Sequence, residues 1–511
     1  MGDLPWLHRG CFGFPLTALR HHAVILGSSG SGKTETLLRI AFGARQAYQL
    51  QVIYLDAKGE TKRAEEESED NAARFLATMW AAGARRCAVF PSLFYNGWQG
   101  TPLELKNRLL SVVDFSESAY YGDVAANVLD LALHTPITPR SSRHLLANLR
   151  IDQLKTLYRH DRRQYQRVLA LDKALVEQVE MRYQVFFSAL DGQLDGILDY
   201  GMVDAAYLRV PGFTLQQEAP RLGRFLIEDF IHYISTRRRP GVHTLFIIDE
   251  FNALRLREET SRLFEQCRSF GGSLIIAAHG FAGLGPSDYA ERILNACSTY
   301  ILHACSDPFR IAKRAGKKLH LETTWSEGAD GTLHQHIRPR WVWKVPESAV
   351  IHQETGQAYW IYRGHTQQVQ TAQVPISEAD VHRAWQAIRR QEAWQRQQQT
   401  HAISVANEVT LSSTPTAPPP KVQQQTQGNR GIVGTPSPTG SASATASSKN
   451  RAQGKKAKQQ ATPHRTAPSS TEDPPGASGI ATILPGPGIT VPPVPPTIPI
   501  PDPDDDEPDE L

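Results

Sequence analysis

An α/β fold built on a mostly parallel sheet is what this 511-residue sequence predicts, and three observations predict it. Apolar runs of strand length alternate with helical periodicity over the first 400 residues. One of those runs leads through a glycine-rich loop into a helix, and another ends in two adjacent carboxylates. The strands are expected at His22 to Leu26, Val52 to Asp56, Cys87 to Phe90, Ala206 to Val210, Thr244 to Asp249, Ser273 to Ala278 and Thr299 to His303. Several are continuous apolar runs, as strands covered on both faces must be.

The glycine-rich element is Gly27-Ser28-Ser29-Gly30-Ser31-Gly32-Lys33-Thr34, between the apolar His22-Ala-Val-Ile-Leu26 and a helical Glu35-Thr-Leu-Leu-Arg-Ile40. This is GxxxxGK[ST] in its strand–loop–helix setting, a P-loop. Glycines let backbone N–H groups turn inward around phosphate oxygens at the positive end of a helix. Lys33 is then placed to reach the β and γ phosphates of ATP, and Thr34 to offer a hydroxyl to Mg²⁺. Thr244-Leu-Phe-Ile-Ile-Asp249-Glu250 supplies the acidic strand end: Asp249 for Mg²⁺ and Glu250 to polarise an attacking water. The second acid favours water over a substrate hydroxyl as nucleophile, and hence an ATPase. Asp56 and Lys58 follow one further strand and His279 another, so all four features are expected at the carboxyl edge of one sheet. His279 is a candidate to hydrogen-bond the γ-phosphate or the water.

Between Leu103 and Leu198 the pattern turns helical, with Leu145, Leu149, Leu154 and Leu157, then Leu175, Val179, Tyr183 and Phe186, at three-to-four spacing. The reading is an all-helical domain (103–200) inserted between two parts of the P-loop domain (1–102 and 201–375). A C-terminal helix (376–400) and a tail (401–511) follow. From Arg140 to Val168 the insert carries Arg140, Arg143, Arg150, Lys155, Arg159, Arg162, Arg163 and Arg167 against only Asp152 and Asp161, a balance suited to nucleic-acid phosphates. Twenty of the chain's 34 prolines lie after residue 400, where aromatic residues vanish. Such a segment buries too little apolar surface to offset its ordering entropy and is expected to be disordered. It is basic from Lys421 to Arg465 and acidic from Glu472 onward, so the formal charge of +3 is a cancellation between a basic body and an acidic end.

Composition narrows the classes further. Five cysteines without a CxxC pair match a reducing cytosol and suggest neither a disulfide framework nor a zinc knuckle. Cys297, His303 and Cys305 alternate about a strand and read as core. No run approaches the length of a membrane span, and no signal peptide is visible.

The set Gly27 to Thr34, Asp56-Ala-Lys58-Gly59-Glu60, a helical insertion, Ile248-Asp249-Glu250-Phe251, and Arg268-Ser-Phe-Gly-Gly-Ser with His279 resembles the TraG/TraD-type coupling ATPases of conjugation and type IV secretion. These belong to the FtsK/HerA group of RecA-like P-loop motors. The resemblance spans about residues 20 to 375. It implies a homo-hexameric ATPase that pumps single-stranded DNA toward a secretion channel. The implied partners are a membrane-embedded secretion component and, through the tail, relaxosome or cargo proteins. Arg268 is then a candidate finger toward a neighbouring subunit's ATP. The family usually has Gln at the position of His279, and familiar members begin with two transmembrane helices, whereas here the P-loop begins at Gly27. The expected location is therefore cytoplasmic, peripheral at the inner face of the cell membrane through a partner. Two other readings share the residues: a related DNA motor in partitioning, repair or packaging, and a nucleotide-switched adaptor that recruits cargo through its tail.

Overall fold

The computed structural model describes residues 15–59, 70–113, 119–255, 263–264, 267–327 and 333–412; side chains beyond residue 400, and those of Phe213 and His334, are outside the description. Seven strands run parallel: β1 (Ala23–Leu26), β2 (Gln51–Asp56), β3 (Cys87–Phe90), β4 (Ala205–Arg209), β5 (Thr244–Asp249), β6 (Gly272–Ala278) and β7 (Thr299–Leu302). They are the seven apolar runs expected from the sequence, each to within a residue, and every residue in them is buried. Four further strands were not expected. β8 (Lys317–Glu327) and β9 (Leu333–Trp343) pair as a separate antiparallel ribbon. β10 (Gln357–Tyr362) and β11 (His365–Gln370) extend the main sheet antiparallel beyond β7, giving the order β11-β10-β7-β1-β6-β5-β2-β4-β3.

The longer helices are α1 (Lys33–Tyr48), α2 (Asn71–Ala81), α3 (Pro102–Val112), α4 (Ala119–Leu133), α5 (Ser142–Asn148), α6 (Ile151–Leu157), α7 (Arg162–Leu169), α8 (Lys173–Leu190), α9 (Glu218–His232), α10 (Ser287–Ala296) and α11 (Glu378–Ser412). Their starts are written locally. Thr101 and Glu104 form a capping box around Pro102 at the first turn of α3, and Asp70, Asp161 and Asp172 cap α2, α7 and α8.

Helices cover both faces of the sheet. On one face Leu37 of α1, Phe75 and Leu76 of α2, and Val381, Ala384 and Ile388 of α11 meet Ile25, Val52, Tyr54, Ile247 and Ile275. On the other, Leu109 of α3, Leu129 of α4, Phe186 of α8, Phe225 of α9 and Ile293 of α10 meet Leu26, Ile53, Phe246 and Ile276. Among the described residues the segment from α3 to α8 holds helices and connecting turns but no strand, and α3, α4 and α8 bury their apolar sides in the same core as the sheet. Leu154 and Val168 form a smaller cluster with Leu131 and Tyr158. Arg108 of α3, fully buried, pairs at 2.8 Å with Asp229 of α9 and donates to the Gly97 carbonyl, so the buried charge is matched.

α11 shields the outer edge of the sheet. Gln391 accepts from the backbone N–H of Val89 and donates to the Cys87 carbonyl, both at 3.1 Å, occupying the edge of β3 as a neighbouring strand would. The helix continues to Ser412, past the composition break at 400, because no glycine or proline interrupts the chain before Pro415. The rest of the expected disordered tail, and Glu60 of the strand-end motif, lie outside the described residues.

Candidate functional site

The carboxyl ends of β1, β2, β5, β6 and β7 meet at one edge of the sheet, as parallel topology requires. β1 delivers Gly27, and the loop turns through Gly30 and Gly32 at φ 76° and 101°, values that glycine adopts without strain. A Cβ on Gly32 would stand 2.8 Å from the Gly356 nitrogen, and one on Gly27 would stand 2.6 Å from the Cβ of His303. The loop is braced from outside: Gly356 N–H donates to the Ser31 carbonyl at 2.9 Å, and Thr355 Oγ1 to the Gly30 carbonyl. Ser28 N–H donates to the Ala304 carbonyl, while Ser29 is exposed. Ser31 Oγ is buried with no hydrogen-bond partner, an orphan inside a phosphate-binding sequence. Lys33 opens α1 and folds back over the loop, its Nζ 2.7 Å from the Gly27 carbonyl and 3.0 Å from that of Ser28. Burial lowers its pKa.

Behind the loop a buried network fixes α1. Thr36 Oγ1 lies 3.0 Å from His303 Nε2 and 2.7 Å from Thr371 Oγ1, while His303 Nδ1 meets the Gln357 carbonyl at 2.9 Å. Burial pushes the His303 imidazole down to about 4, so the ring is neutral at physiological pH.

Asp56 and Asp249 are register partners on β2 and β5, and each is held by a tyrosine from a neighbouring strand. Tyr54 Oη donates to Asp249 Oδ2 at 2.7 Å, and Tyr207 Oη donates to Asp56 Oδ2. The two rings stack with centroids 5.1 Å apart. Burial, with Asp56 alongside, pushes Asp249 up to about 6, and burial raises Asp56 as well. Thr34 Oγ1 stands 3.5 Å from Asp249 Oδ2, a pair of hard oxygen donors beside Lys33.

Glu250 sits at φ 53°, with its N–H on Asp249 Oδ1 at 2.9 Å. Its Oε2 is 3.0 Å from Lys58 Nζ and 2.9 Å from His279 Nε2, and those two nitrogens are 3.1 Å apart. Three strand ends thus meet in one polar cluster beside the loop.

Not every expected residue joins it. Arg268 lies in the turn Cys267–Phe270 that enters β6, at the opposite edge of the sheet from His279, near His21, whose pKa is lowered by burial and then by the Arg268 charge. Of the basic residues on α5 to α7 and their flanks, Arg140, Arg143, Arg150, Arg159, Arg162 and Arg163 are exposed and Lys155 partly so. Arg150 is 3.3 Å from Glu180, and Arg167 is engaged by Asp130 at 3.1 Å and by Asn127. Sequence reasoning missed Tyr54, Tyr207, the Thr36–His303 network and the Gly356 loop. Tyr54 carried a signal: it stands two residues before Asp56 in a strand, hence on the same face.

No protein-family model matches the sequence, and no curated protein matches it. Solved structures do. The unbound bacterial conjugative coupling protein TrwBdeltaN70 aligns with a TM-score of 0.51 at 12% identity, over 70% of this chain and 86% of that one. The plasmid coupling protein TrwB in complex with a non-hydrolysable ATP analogue gives 0.51 at 12% identity, over 71% and 88%. TrwB in complex with ADP and Mg²⁺ gives 0.50 at the same identity and coverage. What this likeness establishes, together with the nine-stranded sheet and its loop, is the fold: this chain has the P-loop α/β fold seen in the TrwB coupling proteins.

Proposed function

We propose that this chain is an ATPase that drives DNA movement, a coupling protein of the TraG/TraD type that delivers DNA to a type IV secretion channel. The observation that carries the reading is the meeting of Lys33, Thr34, Asp249, Glu250, Lys58 and His279 at one sheet edge, on a fold shared with TrwB. The loop N–H groups and the start of α1 favour an anion, and the Lys33 ammonium already lies over them. With ATP bound, Lys33 would exchange its contacts with the Gly27 and Ser28 carbonyls for phosphate oxygens. Thr34 and Asp249 fit Mg²⁺ as oxygen ligands; when bound with ATP, the ion neutralises phosphate charge. Glu250 orients and deprotonates water. It is held by Lys58 and His279, so these two residues position the base and report a change at the phosphates to β2 and β6. Asp56 positions the backbone of Lys58, whose N–H donates to Asp56 Oδ1 at 3.0 Å.

The exposed arginines of the helical segment supply contacts to single-stranded DNA phosphates. Arg268, at the far edge, is assigned to a neighbouring subunit's ATP in a homo-hexamer, because it lies away from the loop of its own chain. Among the described residues no helix is long and apolar enough to cross a membrane, so attachment to a secretion channel is assigned to a membrane-embedded partner, with relaxosome or cargo proteins recruited by the tail. The test is ATP hydrolysis by the full chain with and without DNA at low salt. Stimulation that Lys33→Ala abolishes supports the motor; nucleotide binding without hydrolysis under any DNA condition returns the adaptor reading.

A further inference from the structure

The β8–β9 ribbon presents an unusual surface. All of β8 is exposed, and the register pairs Leu319 with Trp341, Leu321 with Pro339, Thr323 with Ile337, Trp325 with Gln335 and Glu327 with Leu333. Alternation puts these residues on one face. Leu319, Leu321, Trp325, Leu333, Ile337 and Trp341 on it are 53% to 66% exposed. The opposite face carries Lys318, His320, Glu322, His336, Arg338 and Arg340, with Glu322 paired to Arg340 and Ser326 bonded to His336. Two strands of 11 residues make an arm of about 35 Å. A lone two-stranded ribbon is marginally stable in water and needs a packed face.

We propose that the apolar face packs against the same face of a second copy of this chain, the two ribbons antiparallel about a two-fold axis. Three features select that occupant. The face carries a cation at its base, Lys317, and an anion toward its tip, Glu327, so antiparallel stacking sets Lys317 of each ribbon across from Glu327 of the other. Bulky apolar side chains lie toward both ends, Trp341 and Trp343 near the base and Trp325 and Leu333 near the tip, with Leu321, Pro339 and Ile337 between, so antiparallel stacking sets apolar groups against apolar groups along most of the face. Its six apolar side chains present on the order of 600 Å², approaching the roughly 800 Å² per partner of a standard interface. Pro339 removes a backbone donor from β9, which disfavours growth through that edge and leaves the face as the contact. Apart from Lys317, whose Nζ lies 4.7 Å from the centre of the Trp343 ring at the base, the cations Lys318, Arg338 and Arg340 lie on the opposite face, which fits a lipid surface or a stacked nucleic acid less well.

This contact is independent of the nucleotide chemistry, and sedimentation velocity of the full chain without nucleotide or DNA tests it. A monomer–dimer equilibrium in the micromolar range is expected. Leu321→Ser with Ile337→Ser removes it, with unchanged circular dichroism and unchanged ATP hydrolysis. Lys317→Glu or Glu327→Lys alone weakens dimerisation about 10-fold, and the two reversals together restore it, since each cross-ribbon pair is then opposite in sign again. A chain that stays monomeric overturns the proposal. So does a double reversal no tighter than the single ones, or a monomer that floats with phosphatidylglycerol vesicles through the same apolar residues. Loss of hydrolysis in Lys33→Ala with dimerisation intact separates the failure of either reading from the other.

Discussion

At the scale of single residues, burial governs the chemistry. His22 shows it away from the nucleotide edge: its Nδ1 accepts from Leu274 N–H at 3.0 Å, its backbone takes φ 53°, and burial pushes the imidazole down to about 4. A depressed histidine stabilises the fold while neutral. That stability is complete above the unfolded value near 6.5 and is lost as pH falls from there toward 4. Asp249, raised to about 6, acts with the opposite sign over the lower part of that window, so a comparison of variants isolates the histidine. Asn tolerates positive φ and offers an oxygen to Leu274. His22→Asn should therefore recover about 2 kcal/mol of the stability that the parent chain loses between pH 7.5 and 5, measured by urea unfolding at both values. At this scale the sequence exposed the loop, Asp249, Glu250 and His279, because a motif fixes their spacing and strand ends fix their place. It hid Tyr54 and Tyr207, which meet the two carboxylates across strands that only the sheet order brings together.

Among the elements, the seven buried strands were legible because fully covered strands are written as apolar runs. β10 and β11 were not: β11 reads His365-Thr-Gln-Gln-Val-Gln370, polar because it is the exposed edge of the sheet. The β8–β9 ribbon escaped for the reverse reason, since its apolar residues alternate without being buried. α11 was legible as a helix, but its service to β3 was not. Gln391→Ala leaves the Val89 N–H and the Cys87 carbonyl without their side-chain partner, and should cost about 2 kcal/mol in urea unfolding at neutral pH, where Gln391→Glu only partly compensates. The arginines around α6 and α7 carry a different prediction. Arg159, Arg162 and Arg163 are exposed, and replacing all three by Gln should lower affinity for single-stranded DNA and reduce the slope of log affinity against log salt by about 2, read by fluorescence anisotropy from 50 to 200 mM salt. Arg167→Gln should instead loosen α4 against α7, because Asp130 holds it.

For the whole molecule, the near-neutral charge is informative only once divided. Eight basic and ten acidic residues after position 400 offset a body whose positive excess includes the exposed arginines of its helical segment. The body folds around one nine-stranded sheet, with both apolar cores meeting it, so a rearrangement at the carboxyl ends of β2, β5 and β6 is felt by the helices that cover them. The proposed function needs such a link, because hydrolysis at Glu250 would have to reach the surface proposed to hold DNA. The most direct measurement is steady-state ATP hydrolysis by the full chain and by Glu250→Gln, with and without single-stranded DNA, alongside nucleotide binding by both. The account predicts DNA-stimulated turnover in the parent chain, and retained ATP binding with turnover reduced at least about 100-fold in Glu250→Gln. Turnover indifferent to DNA, or a Glu250→Gln chain as active as the parent, would contradict it.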